Sequence, residues 1–147
     1  MTTAHAGAGL KVLLNRALAG VVGGLAGGVV FGVLMQVMGM IGMVAMLVGS
    51  EAVGIGWLVH LVISAGIGAS FGVLLGALAT AMARSTGLGL GYGVVWWVLG
   101  GLLIMPAWLG MGVFMFNTMA WMSLLGHLIY GLLLGVVYAL VAPRLSR

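Results

Sequence analysis

The chain is a succession of long apolar runs separated by a few polar positions. Lys11 and Arg16 are followed by an uncharged stretch that ends at Ser50 and Glu51, and a second runs from Ala52 to Arg84. From Ser85 to Pro143 no formal charge interrupts the chain, and Asn117-Thr118 is the polar break near its middle. A hydrocarbon core of ~30 Å takes about 20 apolar residues as a helix. The first two runs therefore hold one span each, and the third, too long for one crossing, holds two. The pattern predicts an all-α integral membrane fold of four transmembrane helices near residues 17–48, 52–83, 88–115 and 118–142, a single domain over residues 1–147. Gly49 is placed to end the first helix, Ser50 to cap the second with Glu51 in its first turn, and Asn117 to cap the fourth.

Composition strengthens this reading. Hydrophobic residues make up 64% of the chain and charged residues 4%, against roughly 25% charged in soluble domains. A globule of this size could not hide so much apolar surface from water, so the lipid bilayer is the first partner implied. Glu51 is the one acidic residue and cysteine is absent. Carboxylate pairs, Cys-His nucleophiles and thiolate metal sites are thereby excluded, and a non-enzymatic protein is expected.

Four crossings put both termini on one side, together with Lys11, Arg16, Arg84, Arg144 and Arg147, and leave Glu51 and Asn117 on the other. By the positive-inside rule the cationic side is cytoplasmic, with the chain in the cell (inner) membrane. The net charge of +4 then reads as a topology signal and implies no nucleic acid.

The two halves resemble each other. Gly28-Val-Val-Phe-Gly-Val-Leu34 lines up with Gly93-Val-Val-Trp-Trp-Val-Leu99 at an offset of 65, and His60, Gly68 and Phe71 line up with His127, Gly135 and Tyr138 at an offset of 67. This predicts two pseudo-equivalent helical hairpins, a parallel internal repeat about an axis along the membrane normal. Helices in lipid associate through small residues that let backbones approach. The first span carries Gly20, Gly24, Gly28 and Gly32 at four-residue steps, with Gly23 and Gly27 beside them; the second carries Ser64, Gly68, Gly72 and Gly76, and the fourth Gly131 and Gly135. Each ladder, extended by four residues, reaches a polar side chain: Gln36, His60 and His127. These are expected to face into the bundle, since an unpartnered polar group in hydrocarbon is costly.

His60 lies nine residues from Glu51 and His127 ten from Asn117, so both are ~14 Å from the same end at 1.5 Å per residue. Pro106, at a similar level, is expected to kink the third helix and free the carbonyl of Leu102. Ten methionines, Met35, Met38, Met40, Met43, Met46, Met105, Met111, Met115, Met119 and Met122, fall in the outer halves of the spans. Glycine of the first span gathers in the opposite half, which suggests a funnel that opens outward.

Several chemistries suit this arrangement. Two histidines at one depth on facing helices could supply both axial ligands of a b-type haem, and one could ligate the magnesium of a chlorophyll-type pigment. Thioether and imidazole also suit Cu(I), with Met40, Met43, Met105 and Met111 as candidate ligands. Alternatively, the histidines bond to each other or to Gln36 and serve packing alone. In that case the protein is an accessory or assembly subunit of a larger membrane complex, or a homo-oligomer, and its partners are other membrane subunits or itself.

The ending His127-x-x-Tyr130-Gly131-x-x-x-Gly135-x-x-Tyr138 resembles the last helices of several uncharacterised families of small polytopic bacterial and archaeal membrane proteins. The resemblance implies a compact multi-span bundle and carries no activity with it.

Overall fold

A computed structural model of the chain describes residues 2–146, with side chains described from residue 7 onward. The described residues form helices and connecting turns, with no strand. The elements are α1 (Thr2–Val37), α2 (Ile41–Met46), α3 (Val53–Leu75) and α4 (Met82–Trp96), the last continuing as a π-helical segment (Trp97–Ile104), then α5 (Met105–Trp108) and α6 (Thr118–Leu145). Among the described residues four stretches are long and apolar enough to cross a membrane: Gly7–Val37, Val53–Leu75, Met82–Trp108 and Thr118–Leu145.

The ends of these helices differ from the expected ones where glycine or proline intervenes. The first long helix stops at Val37 because Gly39 takes a positive φ of 70°, a conformation open to glycine without steric penalty. The chain then doubles back as the short α2, and Gly49 (φ 74°) ends that helix instead of the first. Ser50 does not cap α3. Its hydroxyl accepts from the Ala52 amide at 3.2 Å, in the turn before the helix, and Ala52 holds the cap position without a side-chain bond. Asn117 does cap α6, its Oδ1 accepting from the Ala120 amide at 3.0 Å.

Proline acts as chemistry requires. Pro106 has no N–H to give Leu102, and the preceding residues widen into the π-helical segment, in which the Met105 amide reaches back five residues to Gly100. The freed Leu102 carbonyl accepts from the Phe114 amide at 2.8 Å. That bond folds the 109–117 connection back onto the helix it follows.

Packing follows the small residues. α1 is the central helix, with one glycine face against α3 and another against α6. On the first face, Gly20 meets Gly68 backbone to backbone, Gly24 meets the Ser64 carbonyl, and Gly72 meets the carbonyl of Arg16. On the second, Gly23 seats Leu134 and Gly27 seats Tyr130. The α4–α6 pair repeats the first mode, with Gly89 against Gly131 and Gly135 against the Ser85 carbonyl. Phe71 (0% exposed) and Tyr138 (1%) meet edge to face at 5.3 Å in the middle of the bundle.

The Asn15 amide donates to the Leu145 carbonyl at 2.6 Å, which brings both ends of the described chain to one end of the bundle, called here the cationic end. α3 and α4 approach each other sparingly. Their contact is made by the Ser70–Tyr92 hydroxyl pair at 2.7 Å and by Phe71 against Tyr92. Beyond this tie, toward the end that carries Glu51 and Asn117, the bundle opens.

Candidate functional site: a methionine-lined cavity with two histidines

The opening is a cavity of about 670 Å3 between α3 and the α4–π–α5 wall. Ile67 on α3 and Tyr130 on α6 are its lining residues nearest the cationic end, and α2, α5 and the 109–117 connection line its other end. The Trp108 indole donates to the Leu47 carbonyl at 3.2 Å, tying α5 to the end of α2 across that end. A volume of this size suits a small molecule; ligand pockets run from about 300 to 1,000 Å3. It exists because the π-helical segment bears Gly100 and Gly101 on the cavity wall, where side chains would otherwise fill the space.

His60 and His127 both line this cavity. The His60 ring is buried at 6% exposure, and its Nε2 donates to the Gly28 carbonyl at 2.9 Å. The Nδ1 of His127 donates to the Ser123 carbonyl at 2.8 Å on its own helix. A ring nitrogen facing a carbonyl carries the proton, so in the neutral rings His60 Nδ1 and His127 Nε2 keep their lone pairs. Among the described residues the one buried side-chain nitrogen or oxygen without a partner is Trp96 Nε1. The two imidazole lone pairs are therefore not sealed off by packing.

The expected His60–His127 and His–Gln36 bonds are replaced by others. Each imidazole bonds a backbone carbonyl, and Gln36, exposed on α1, accepts from the Trp57 indole at 2.7 Å. Between the histidines lies a residue the sequence reading did not single out: the Phe31 ring stands 5.4 Å from His60 and 4.9 Å from His127, edge-on to both. A flat macrocycle ligated by both rings would need the space this phenyl takes. The residues as arranged do not fit a bis-histidine haem.

The methionine candidates do converge. Met40 and Met43, from the α1–α2 side, and Met105 and Met111, from the opposite wall, line the same cavity, joined by Met35, Met115 and Met119. Among the described residues no three His, Cys, Asp or Glu side chains come together. The ladder residues Gly24, Gly28, Gly32, Ser64, Gly68 and Gly72 sit at the α1–α3 contact, with Gly32 covered by Trp57, and Gly131 and Gly135 at the α4–α6 contact.

Sequence reasoning missed Phe31, Trp96, Ser123 and the Gly100-Gly101 pair as cavity residues. The alignment of the two halves held one signal, since it pairs Phe31 with Trp96, both aromatic and both on the cavity wall. No family model matches the chain, and comparison with curated proteins and with solved structures finds no similar one.

Proposed function

We propose that this is a non-enzymatic integral membrane protein that holds a small apolar molecule in the cavity lined by His60 and His127. The observation that carries the reading is the cavity itself. Its wall combines seven methionines, aromatic rings and two imidazoles with unshared lone pairs, and no Lys, Arg, Asp or Glu. Methionine walls adapt to varied apolar shapes. The assembly-subunit reading rests on lipid-facing surface, which every bundle of this kind presents. Native mass spectrometry of protein released from mild detergent tests the proposal. The wild type is expected to retain a small molecule, and Gly100→Leu to lose it. A Cβ at Gly100 would meet nothing closer than Trp96 at 3.9 Å, so a leucine can start from an undisturbed backbone and project from the cavity wall. An empty wild-type protein that also takes up no added apolar ligand would refute it.

A second reading, Cu(I) binding, is favoured by the placement of Met40, Met43, Met105 and Met111 with both imidazoles on one wall system. Metal analysis after chelator-free purification separates the two, since a stoichiometric copper content belongs to the second alone. An absorption spectrum with a Soret band would restore the haem reading, with Phe31 displaced.

We further infer that the cationic end faces the cytoplasm, which places the cavity in the outer leaflet of the cell membrane. The contacts support a duplicated hairpin as well. Gly24 meets the Ser64 carbonyl and Gly68 as Gly89 meets the Gly131 carbonyl and Gly135, and Gly68 meets the Gly20 carbonyl as Gly135 meets that of Ser85. These pairs keep the offsets of 65 and 67. The equivalence lapses at the cavity, where His60 bonds across to α1 and His127 bonds within α6.

A further inference from the structure

Resting on the ligand-binding reading above, we propose that the cavity recognises a neutral aromatic alcohol of the phenol or quinol class, its hydroxyl donating to the free ring nitrogen of His127 and its ring lying among the methionines and Phe31.

Three features of the wall select this chemistry. The first is its supply of hydrogen-bonding groups. The Tyr130 hydroxyl is spent on the Ser64 carbonyl at 2.7 Å, Asn117 Oδ1 caps α6, and each imidazole N–H is held by a carbonyl. The serine hydroxyls of the wall can donate or accept and so do not discriminate. What is left over at the level of the histidines is acceptor capacity, at His127 Nε2 and His60 Nδ1; the Trp96 indole N–H is closed off by packing, and the Asn117 amide N–H groups lie at the start of α6, ten residues along the helix from His127. An acceptor that faces an apolar cavity without a partner is costly, and a ligand that brings an O–H satisfies it.

Charge is the second. With no cationic or anionic side chain on the wall, a carboxylate, phosphate or ammonium head would enter uncompensated at a large cost in solvation. The ligand is neutral.

Shape and softness are the third. Thioether sulfur makes favourable contacts with aromatic rings, and Phe31 already holds two aromatic heterocycles edge-on. A flat ring of the ligand extends that arrangement. A second apolar depression, lined by Leu74, Leu75, Leu88 and Tyr92, lies along the same helix pair on the cationic side of the Ser70–Tyr92 tie. His127 is the primary acceptor of the two, because it is only partly buried and His60 is buried.

The test compares 4-nonylphenol with its methyl ether, which has nearly the same shape and no O–H, by isothermal titration calorimetry on the full-length protein in detergent. The wild type is expected to bind the phenol at least tenfold more tightly, and His127→Phe to abolish that preference while still binding both. Gly100→Leu, whose side chain projects from the cavity wall, serves as the control for partition into micelles. Equal affinity of the wild type for the two probes would overturn the proposal and leave an unselective apolar cavity. Binding of neither would overturn the ligand-binding reading beneath it. If His127→Phe fails to fold, the comparison of the two probes on the wild type still decides.

Discussion

The phenol of Tyr130 on α6 donates to the backbone carbonyl of Ser64 on α3 at 2.7 Å, passing over the Gly24–Gly27 face of the central helix. Neither residue is a sequence neighbour of the other, and the bond joins the two outer partners of α1 directly. Both residues also line the cavity, toward its cationic end. Tyr130→Phe keeps the ring that packs on Gly27 and removes only this bond. The expected cost is about 0.5–1.5 kcal/mol, in line with hydrogen bonds between membrane helices. Reversible unfolding in mixed micelles measures it; no measurable loss would mean that the ring, not the hydroxyl, carries the contact.

Gly68 and Gly66 make a matched pair. A Cβ at Gly68 would run into the Gly20 carbonyl and the Gly24 Cα, which are backbone and cannot yield, whereas a Cβ at Gly66 meets nothing within 4 Å. Gly68→Ala is therefore expected to destabilise by about 1–3 kcal/mol, as overpacking does. Gly66→Ala should be neutral or stabilising by up to about 1 kcal/mol, from helix propensity alone. Equal effects of the two substitutions would show that the α1–α3 contact is not set by backbone approach.

Pro106 and Phe114 are linked through the Leu102 carbonyl. Pro106→Ala restores an amide that can bond Leu102 in the α-helical pattern and so compete with the Phe114 amide, now 2.8 Å from that oxygen. The expected result is faster hydrogen exchange at Phe114, by about tenfold for ~1.4 kcal/mol of lost protection, with the four long helices unchanged. Exchange at Phe114 as slow as in the wild type would show that the connection is held by other contacts.

Orientation is open to direct labelling because the chain has no cysteine. Glu51→Cys is expected to react with a membrane-impermeant maleimide in intact cells, and Ser146→Cys only after permeabilisation. The reverse pattern would place the cavity in the cytoplasmic leaflet, against the distribution of Arg16, Arg84 and Arg144.

The number of spans was legible because it depends on a local quantity, the length of each apolar run between charges, and a helix satisfies its backbone within one segment. The small-residue ladders were legible for a related reason: a four-residue step places Gly20, Gly24, Gly28 and Gly32 on one stripe whatever that stripe meets. Even the freed Leu102 carbonyl followed from proline's missing N–H.

Partnership was not legible. Gly39 reads like any other glycine in a glycine-rich helix, and only its positive φ turns Ile41–Met46 back as a separate helix. Gln36 continues the ladder by spacing, yet Trp57 takes it on the exposed side. Both histidines share a level by counting, but which nitrogen each keeps free depends on which carbonyl, Gly28 or Ser123, happens to lie opposite.

Sequence alone determined the solvent, the four helices and the faces able to pack, since each is written in the spacing of residues along one segment. The three-dimensional arrangement decided that α3 and α4 stay apart, that the methionines of distant segments surround one space, and that Phe31 stands between the imidazoles. Those outcomes depend on distances between segments far apart in the chain, and it is the close backbone contacts of α1 with α3, and of α4 with α6, that set them.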